Sequence, residues 1–567
     1  MPNTTTYDVC LVGSGAGAGP VAYTLSKAGF KVLILEKGPW IKTENFTKDE
    51  ITAVRRSVYT PNLKDEPQVI EAQNDKGEWV AKSNYETGND FWNGNCVGGS
   101  SNFMSGYFHR LKPTDFKLLS QYGPIEGANI VDWPINYDDL EPYYAKVESL
   151  VGVSGKVVPH RFQEARSTAD FPYPPLQENI ISQWIDDAAN QLEVDVIPIP
   201  RAILSKPKKD RNACYYSNFC GSYGCSSDAK GSSRAALLNE AINTGYCTII
   251  PNAKVYHLET DGQGRIQTAH YYDANDSKQQ VSATIFVVAA QAIETARLLL
   301  MSKNPEFPNG LANNQGQVGK NLIFSAGGVG SGQFFYDDLE PQQATALKQP
   351  GVFVNRSLYQ WYEIDDAAFN QPIKGGTVDF LFEHANAISR LMRQKYNEDG
   401  TLLFGPALKQ RAKEYFTKQR QLKFEVFADW LPNDNCFVTL DPEVTDKWND
   451  PVARIRVGYH KHDLKVGRFL AKKAETILET MGAKNIQSSV SGNPPSNLVA
   501  GGCRFGQDPK TSVLNKDCQS HEVDNLFITD ASFMPTGGSV TYTWTIYANA
   551  FRVADIVLKK LKSQSFL

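Results

Sequence analysis

The sequence predicts an α/β protein, α+β overall. A Rossmann-like nucleotide-binding domain is interleaved with a second lobe, a substrate domain built on an antiparallel sheet. Three observations predict it. A β-rich run, Tyr7–Val12, leads straight into Gly13-Ser14-Gly15-Ala16-Gly17-Ala18-Gly19. Strand and helix patterning returns over residues 247–301 and again over 526–561. Between those stretches, residues 378–383 and 424–429 alternate or run apolar, as strands of a sheet do. The length, 567 residues, exceeds one domain of roughly 100–200 residues.

The first element is a β-turn-α-β unit. Pro20–Ala28 reads as a helix and Lys31–Leu35 as a second strand ending at Glu36. Gly13 permits the tight turn, Gly15 lets the backbone approach a pyrophosphate on the helix N-terminus, and Ala18 permits close helix–strand packing. Glu36 lies near the spacing at which an acid accepts hydrogen bonds from a ribose diol. Strand, helix and terminal acid together predict dinucleotide binding. A second Gly-rich segment covers residues 93–101. Asp132–Glu148 has a Pro-bounded start and then a helical, acid-rich stretch. Ser205–Arg234, polar and rich in Gly and Ser, is expected to pack against the domain surface. From Cys247 strands are expected at 247–251, 254–258 and 283–289, with a helix over Ala292–Met301. Leu464–Gly482 reads as an amphipathic helix. The chain closes with a strand at Leu526–Thr529, a turn over Asp530–Ser539 and a helix over Thr543–Leu561. That helix begins after a Gly-Gly-Ser turn, so its unpaired N–H groups favour negative charge in front of it.

Composition narrows the function classes. Lys and Arg total 58 against 62 Asp and Glu, a net of −4, which excludes a large nucleic-acid interface. No 18-residue apolar run exists, so no transmembrane segment is expected. The N-terminus carries no basic, then apolar, leader pattern, and a cytoplasmic location is expected, export by a partner subunit aside. Nine cysteines, an odd and scattered set, do not form a secreted disulfide framework. Cys214, Cys220 and Cys225 do cluster. An iron–sulfur ligand set is one reading, and a loop of buried thiols is the other; the spacing fits neither ferredoxin pattern, so no metal is expected.

Several separated motifs resemble the glucose–methanol–choline (GMC) oxidoreductases. They are GSGAGAGP with Glu36, VGGSSNFMSGYFHR at 97–110, VVAAQAIETARLLL at 287–300, VGKNL at 318–322 and the run from Gly501 to Ser539. The resemblance spans nearly the whole chain. DWPINYDDLEPYY and the cysteine loop are similar to the gluconate- and fructose-type sugar dehydrogenases. The resemblance implies FAD, with flavin-binding segments 1–110, 231–325 and 491–567 and substrate segments 111–230 and 326–490. By position it puts Gly13, Ser14, Gly15, Ala16, Gly17 and Ala18 at the pyrophosphate and Glu36 at the adenosine ribose, with Lys37 beside it. Gly98, Gly99, Ser100 and Asn102 line the flavin, Val255 meets the adenine through its backbone, and Ala289 lies in the cradle. Asp530 and Ala531 reach the ribityl-phosphate region, and Thr541, Tyr542 and Thr543 the pyrimidine edge.

The departures concern catalysis. The family's usual histidine position falls on Leu498, or with a slip of one on Asn497, and the second position, usually His or Asn, falls on Thr541, with Tyr542 replacing Pro. Gln291 stands where the family tends to have Gly. Alcohol oxidation needs a base for the hydroxyl proton; leucine cannot serve, and threonine is only a weak hydrogen-bonding group. His109 and His384 are the candidate replacements, each with a packing role as its rival. His460 and His462 are a metal pair if they lie on a strand, and junction residues otherwise; His521 reads as a surface turn. Tyr542 either donates a hydrogen bond near the flavin or packs on it. The reading is an FAD-dependent oxidoreductase of CH–OH type transferring hydride to flavin N5, with altered active-site residues. The alternatives are a sugar or polyol dehydrogenase with a base from elsewhere, a non-redox (lyase-like or photochemical) flavoenzyme, and a non-catalytic flavin subunit. The expected partners are a small-molecule substrate and, as electron acceptor, oxygen or a partner subunit.

Overall fold

Strand Tyr7–Val12 pairs in parallel with Val32–Leu35 on one side, Val9 opposite Val32, and with Lys278–Val288 on the other, Val9 opposite Ile285. Where the three strands pair side by side, Val9–Val12, Val32–Leu35 and Ile285–Val288 are buried throughout, as in a parallel sheet shielded from water on both faces. The sheet continues outward through Cys247–Ile250 on one flank. On the other, the upper half of Lys278–Val288 pairs in parallel with Leu526–Ile528, while its lower half turns into an antiparallel meander with Ile266–Tyr272 and Lys254–Thr260. Helices Gly19–Lys27, Tyr137–Val147 and Thr543–Gln564 pack together on this domain. Tyr23 meets Phe551 edge-on at 6.3 Å, and the Tyr144 hydroxyl lies 2.9 Å from Thr545 Oγ1. The coordinates are a computed structural model describing residues 7–53, 62–74, 76–88, 91, 93–397, 399–493 and 495–564.

The second sheet is antiparallel, in the order Lys484–Ser489, Gly328–Phe335, Gln419–Trp430, Gly376–Phe382, Arg356–Leu358, Val196–Pro198. Leu322–Ser325 joins the end of Gln419–Trp430 and pairs with Val499–Gly501. Period-two alternation gives this sheet two faces. Val378, Phe380, Leu422, Phe424 and Val426 pack on helix Lys461–Thr480 through Val466, Leu470, Ala474 and Ile477. Thr377, Asp379 and Leu381, opposite Phe427, Glu425 and Lys423, fall on the other face, toward the nucleotide domain. A four-stranded sheet draws Val69–Gln73 and Trp79–Ser83 together with Cys436–Thr445 and Pro451–Val457.

Most expected elements fall where the pattern puts them. Three readings need correction. The amphipathic helix starts at Lys461 rather than Leu464, because His460 caps it: its Nδ1 accepts from His462 N at 3.1 Å, and Asp463 Oδ2 accepts from His460 N at 3.3 Å. His460 and His462 are therefore cap residues, not a strand pair. Residues 205–234 are not merely laid on the surface. Lys230 is buried, and its ammonium donates to the carbonyls of Asn102, Met104, Cys220 and Tyr223 at 2.6–3.3 Å. Ile266–Tyr272 and the helices Ala387–Arg393 and Gly405–Thr417 have no counterpart in the predicted elements.

Candidate active site

The nucleotide cradle is built on the Gly13–Ala18 turn. Gly13 sits at φ +92°, and a Cβ there would lie 2.4 Å from the Ala289 carbonyl oxygen, so only glycine fits. Ser14 N donates to Glu36 Oε2 at 3.0 Å, Ser14 Oγ bonds the same oxygen, and Gly38 N donates to Oε1 at 2.8 Å. Gly98 N donates to Ser14 Oγ at 2.9 Å, tying the second Gly-rich loop to the first. Asn102 closes that loop with hydrogen bonds to the Val97 and Gly99 carbonyls at 3.0 and 3.1 Å, and Ser100 Oγ accepts from Gly94 N. Burial pushes the Glu36 carboxyl up, opposed by the bonds from Ser14 and Gly38. Asp530 is saturated too: it accepts from Ser532 N and Oγ, Gln291 N and Thr295 Oγ1. Asp530 therefore fixes the crossing of three segments, and Ala531 follows it, buried. Gln291 takes φ +80° and ψ 148°, a backbone shape that suits glycine, and caps the next helix by accepting from Ile293 N. Val255 is half-buried on the meander. Lys37 points away to an ion pair with Glu66 at 2.8 Å.

The residues expected at catalytic positions separate. Leu498 holds a left-handed φ of +55° and packs on the core, while Asn497 is exposed. Thr541 donates to the Tyr107 carbonyl at 3.1 Å, and Thr543 opens the last helix. Tyr542 is buried, its hydroxyl beside Asp429 and Ser325 but with no hydrogen-bond partner. His384 stacks where a Gly221 side chain would stand; burial, with Lys423, Lys230 and Arg201 nearby, holds its imidazole down at about 4. So low a value makes it a poor proton acceptor. His521 Nε2 lies 3.1 Å from Ser512 Oγ.

His109 is held at both ring nitrogens: Nε2 lies 3.1 Å from Asp379 Oδ2, and Nδ1 lies 2.7 Å from the Tyr359 hydroxyl. All three side chains are buried. Burial and the charges of Asp379, Glu164 and Asp115 hold the Tyr359 phenol well above its ordinary range, so it keeps its proton. In the neutral tautomer that accepts the phenol's hydrogen bond at Nδ1, the ring N–H sits on Nε2 and points at Asp379 Oδ2. Asp379 Oδ1 is buried without a partner. Thr377, two residues earlier on the same face, donates to the Ser539 carbonyl at 3.0 Å, and Leu381, two residues later, packs on Tyr107. Asp379 thus lies between the two segments that flank Thr541. Glu425, its cross-strand neighbour, is half-buried with its carboxyl pushed up by burial and by Asp379. Sequence reasoning reached His109 but not Asp379, Tyr359 or Glu425; a polar residue on the inward face of an apolar strand is the signal that marks Asp379.

Cys214, Cys220 and Cys225 pack around Leu204, Ala229 and Phe353. Burial pushes the Cys214 thiol up to about 12 and raises Cys220, while the Lys230 ammonium and hydrogen bonds draw Cys225 down against its burial. Among the described residues no group of three or more His, Cys, Asp or Glu side chains is placed to hold a metal ion. No described helix is long and apolar enough to cross a membrane.

A dinucleotide cradle abutting a buried acid–base cluster defines a nucleotide-dependent oxidoreductase, and the comparisons specify which. Family profiles described as GMC oxidoreductase match residues 82–325 and 432–550. The chain belongs to the GMC oxidoreductases and is an FAD-dependent oxidoreductase. It is 28% identical to 2-methyl-1,2-propanediol dehydrogenase of Mycolicibacterium austroafricanum, over 98% of this chain and 95% of that one. It is 26% identical to the fructose dehydrogenase large subunit of Gluconobacter japonicus, over 99% of each. Pyridoxine 4-oxidase from Mesorbium loti shares the fold at a TM-score of 0.61 and 17% identity, covering 97% of this chain and 99% of that one. A formate oxidase from Aspergillus oryzae RIB40 does so at 0.65 and 14%, covering 99% and 100%.

The cradle fits FAD. Gly38 and Gly94 have no room for a Cβ, each blocked by backbone within 2.1–2.7 Å, yet at Gly15 nothing lies within 4 Å. The one open direction is the one a pyrophosphate needs. Ala18 caps helix Gly19–Lys27 without a side-chain hydrogen bond; the Ala18 and Gly19 N–H groups turn back to the Gly15 carbonyl at 3.1 Å and Pro20 has none, so what faces an anion is the open turn at Gly15 with the positive end of the helix dipole behind it. Glu36 Oε1, with a single protein donor, keeps capacity for a ribose hydroxyl.

Proposed function

We propose that this enzyme oxidises the CH–OH group of a small polyhydroxylated alcohol or sugar, with Asp379 accepting the hydroxyl proton in place of the family's histidine. One observation carries the reading: Asp379 Oδ1 is the unpartnered end of a hydrogen-bonded chain, Tyr359 to His109 to Asp379, beside the Thr541 segment. The FAD, when bound, supplies the hydride acceptor. Asp379 takes the proton on Oδ1. His109 steadies the carboxylate through Oδ2, and Tyr359 fixes the imidazole tautomer. The lone pairs of His109 face Tyr359 and its N–H faces Asp379, so it positions rather than touches substrate. Thr541, spent on the Tyr107 carbonyl, orders the wall of the site. Leu498, in the histidine's place, adds apolar surface that excludes water. Gly13–Ala18 and Glu36 hold the pyrophosphate and ribose, Gly98, Gly99, Ser100 and Asn102 the flavin side, Val255 and Ala289 the adenine side, and Tyr542 and Thr543 the pyrimidine edge.

The relatives named for a vicinal diol, for fructose and for gluconate support a hydroxyl-rich substrate. We place the flavin-binding segments at 1–110, 231–325 and 491–567 and the substrate segments between them. All nine cysteines are free thiols, which suits the reducing cytoplasm. The test is an anaerobic screen of the holoenzyme against diols, sugars, primary alcohols and amines, read as bleaching of the flavin band with the product identified. Diols or sugars should bleach the flavin and yield the carbonyl compound. Bleaching by amines alone, or turnover without bleaching, would refute the reading. Admitting oxygen afterwards, then a quinone, separates an oxidase from an enzyme that passes electrons to a partner.

A further inference from the structure

Residues 387–418 carry the densest exposed apolar surface of the second lobe. Phe404 is 78% exposed, and Ile388, Met392, Tyr396, Leu402 and Phe416 are each 39–51% exposed. They form one surface. Tyr396 and Leu402 are bridged as antiparallel neighbours, Leu403 N donates to the Lys395 carbonyl at 2.7 Å, and Phe404 follows as the extended residue that leads into helix Gly405–Thr417. Arg390 joins the two helices, its guanidinium 5.2 Å from the Tyr415 ring and 5.0 Å from Phe416. Helix Ala387–Arg393 has no buried residue, and helix Gly405–Thr417 only Tyr415.

The charge here opposes that of the chain. Between residues 387 and 418 there are seven Lys and Arg and three Asp and Glu, a net of +4 in a protein of net −4. Arg390 and Arg393 pair with Glu383, and Lys418 with Asp337. Among the described residues no carboxylate lies within ion-pair distance of Lys395, Lys409 or Lys413. Lysines without a described carboxylate partner thus flank these aromatic and aliphatic residues along the chain. A phenylalanine that stands nearly clear of its own protein at the start of a helix has no groove of its own to offer a folded partner; its shape suits insertion into a soft interface, with lysines at the level of anionic headgroups.

We propose that this hairpin docks the enzyme on an anionic lipid surface, Leu402 and Phe404 entering the headgroup–acyl boundary and Lys395, Lys409 and Lys413 contacting the lipid phosphates. The anchor is continuous with the active-site strand: Glu383, which holds the hairpin through Arg390, Arg393 and Tyr415, directly follows strand Gly376–Phe382 that carries Asp379. The docked face would lie at one end of that strand.

The holoenzyme is tested by sedimentation with vesicles of phosphatidylcholine alone and of phosphatidylcholine mixed with phosphatidylglycerol. Three unpaired lysines should favour the mixed vesicles by about tenfold to a hundredfold, reversed by salt. Leu402→Glu with Phe404→Glu should abolish binding while flavin absorbance and melting temperature hold. Lys409→Glu with Lys413→Glu, both on exposed helix, should do the same and decides the case if the first variant misfolds. Equal partition to both vesicle types, or undiminished binding by the variants, overturns the proposal. So does a sedimentation-velocity dimer that the Leu402/Phe404 variant converts to monomer without any vesicle binding, since the face then belongs to a second copy. Polyglutamate bound equally by wild type and the Leu402/Phe404 variant would assign the charge to an acidic protein and overturn it as well.

Discussion

The nucleotide cradle and the proposed substrate pocket beside Asp379 are finished differently. In the cradle, Glu36 and Asp530 are both buried and both well supplied with donors: Ser14 and Gly38 for one, Ser532, Gln291 and Thr295 for the other. In that pocket Asp379 Oδ1 is buried without a partner; farther along the same sheet the Tyr542 hydroxyl lies beside Asp429 and Ser325. Leaving a buried polar atom unpaired costs on the order of 1–3 kcal/mol. The first region spends its two carboxylates on rigidity, so that a large cofactor meets a fixed surface. Under the proposed function, the second keeps a carboxylate oxygen in reserve for a substrate hydroxyl.

The contrast breaks hardest at Gly13. Gly13→Val places carbon against the Ala289 carbonyl in a backbone shape valine avoids, and should yield protein without FAD and hence without activity, read from the flavin spectrum of purified protein. In the pocket a mutation should instead spare the flavin. Tyr359→Phe removes the donor that sets the His109 tautomer; kcat should fall about tenfold while KM and FAD content hold.

Asp429 sharpens the contrast through pH. Burial, with Asp115 adding to it and Lys374 opposing, holds its carboxyl up at about 6. Its folded value lies above its unfolded one. The stability it contributes is therefore whole below the ordinary aspartate range and is lost as pH rises through 6, when a charge must be kept among Asp115, Asp463, Lys374 and Tyr542. Asp429→Asn should flatten that slope, so that between pH 5 and 8 the wild type loses about 1–3 kcal/mol relative to the variant in denaturant titrations. The smallest effect belongs to Gln291→Gly. It should relieve the φ +80° backbone and stabilise by about 1 kcal/mol, less the loss of the glutamine cap, read as a slightly raised denaturation midpoint.

The cradle was legible in the sequence because its determinants are local: Gly13, Gly15, Ala18 and Glu36 sit at spacings fixed by one turn, one helix and one strand. That 378–383 and 424–429 are strands of an antiparallel sheet was legible from their apolar pattern; that they pair with each other was not. Asp379 was not, because its importance comes from His109, 270 residues away in the chain, and from Tyr359, which no periodicity marks. Lys230 was hidden for the same reason: its four carbonyl partners lie on loops with no regular pattern. The junction reading of His460 agrees with the structure, but the helix start was set three residues late because cap geometry depends on His460 and Asp463, which hydrophobic spacing does not mark.

The central claim is that Asp379 replaces the missing histidine. It is tested most directly by the stopped-flow rate of anaerobic flavin reduction by a diol or sugar substrate in wild type and Asp379→Asn. The rate should fall by about 10²–10⁴-fold with FAD content and substrate affinity unchanged. A variant that reduces its flavin within a few-fold of wild type would show that the proton leaves by another route.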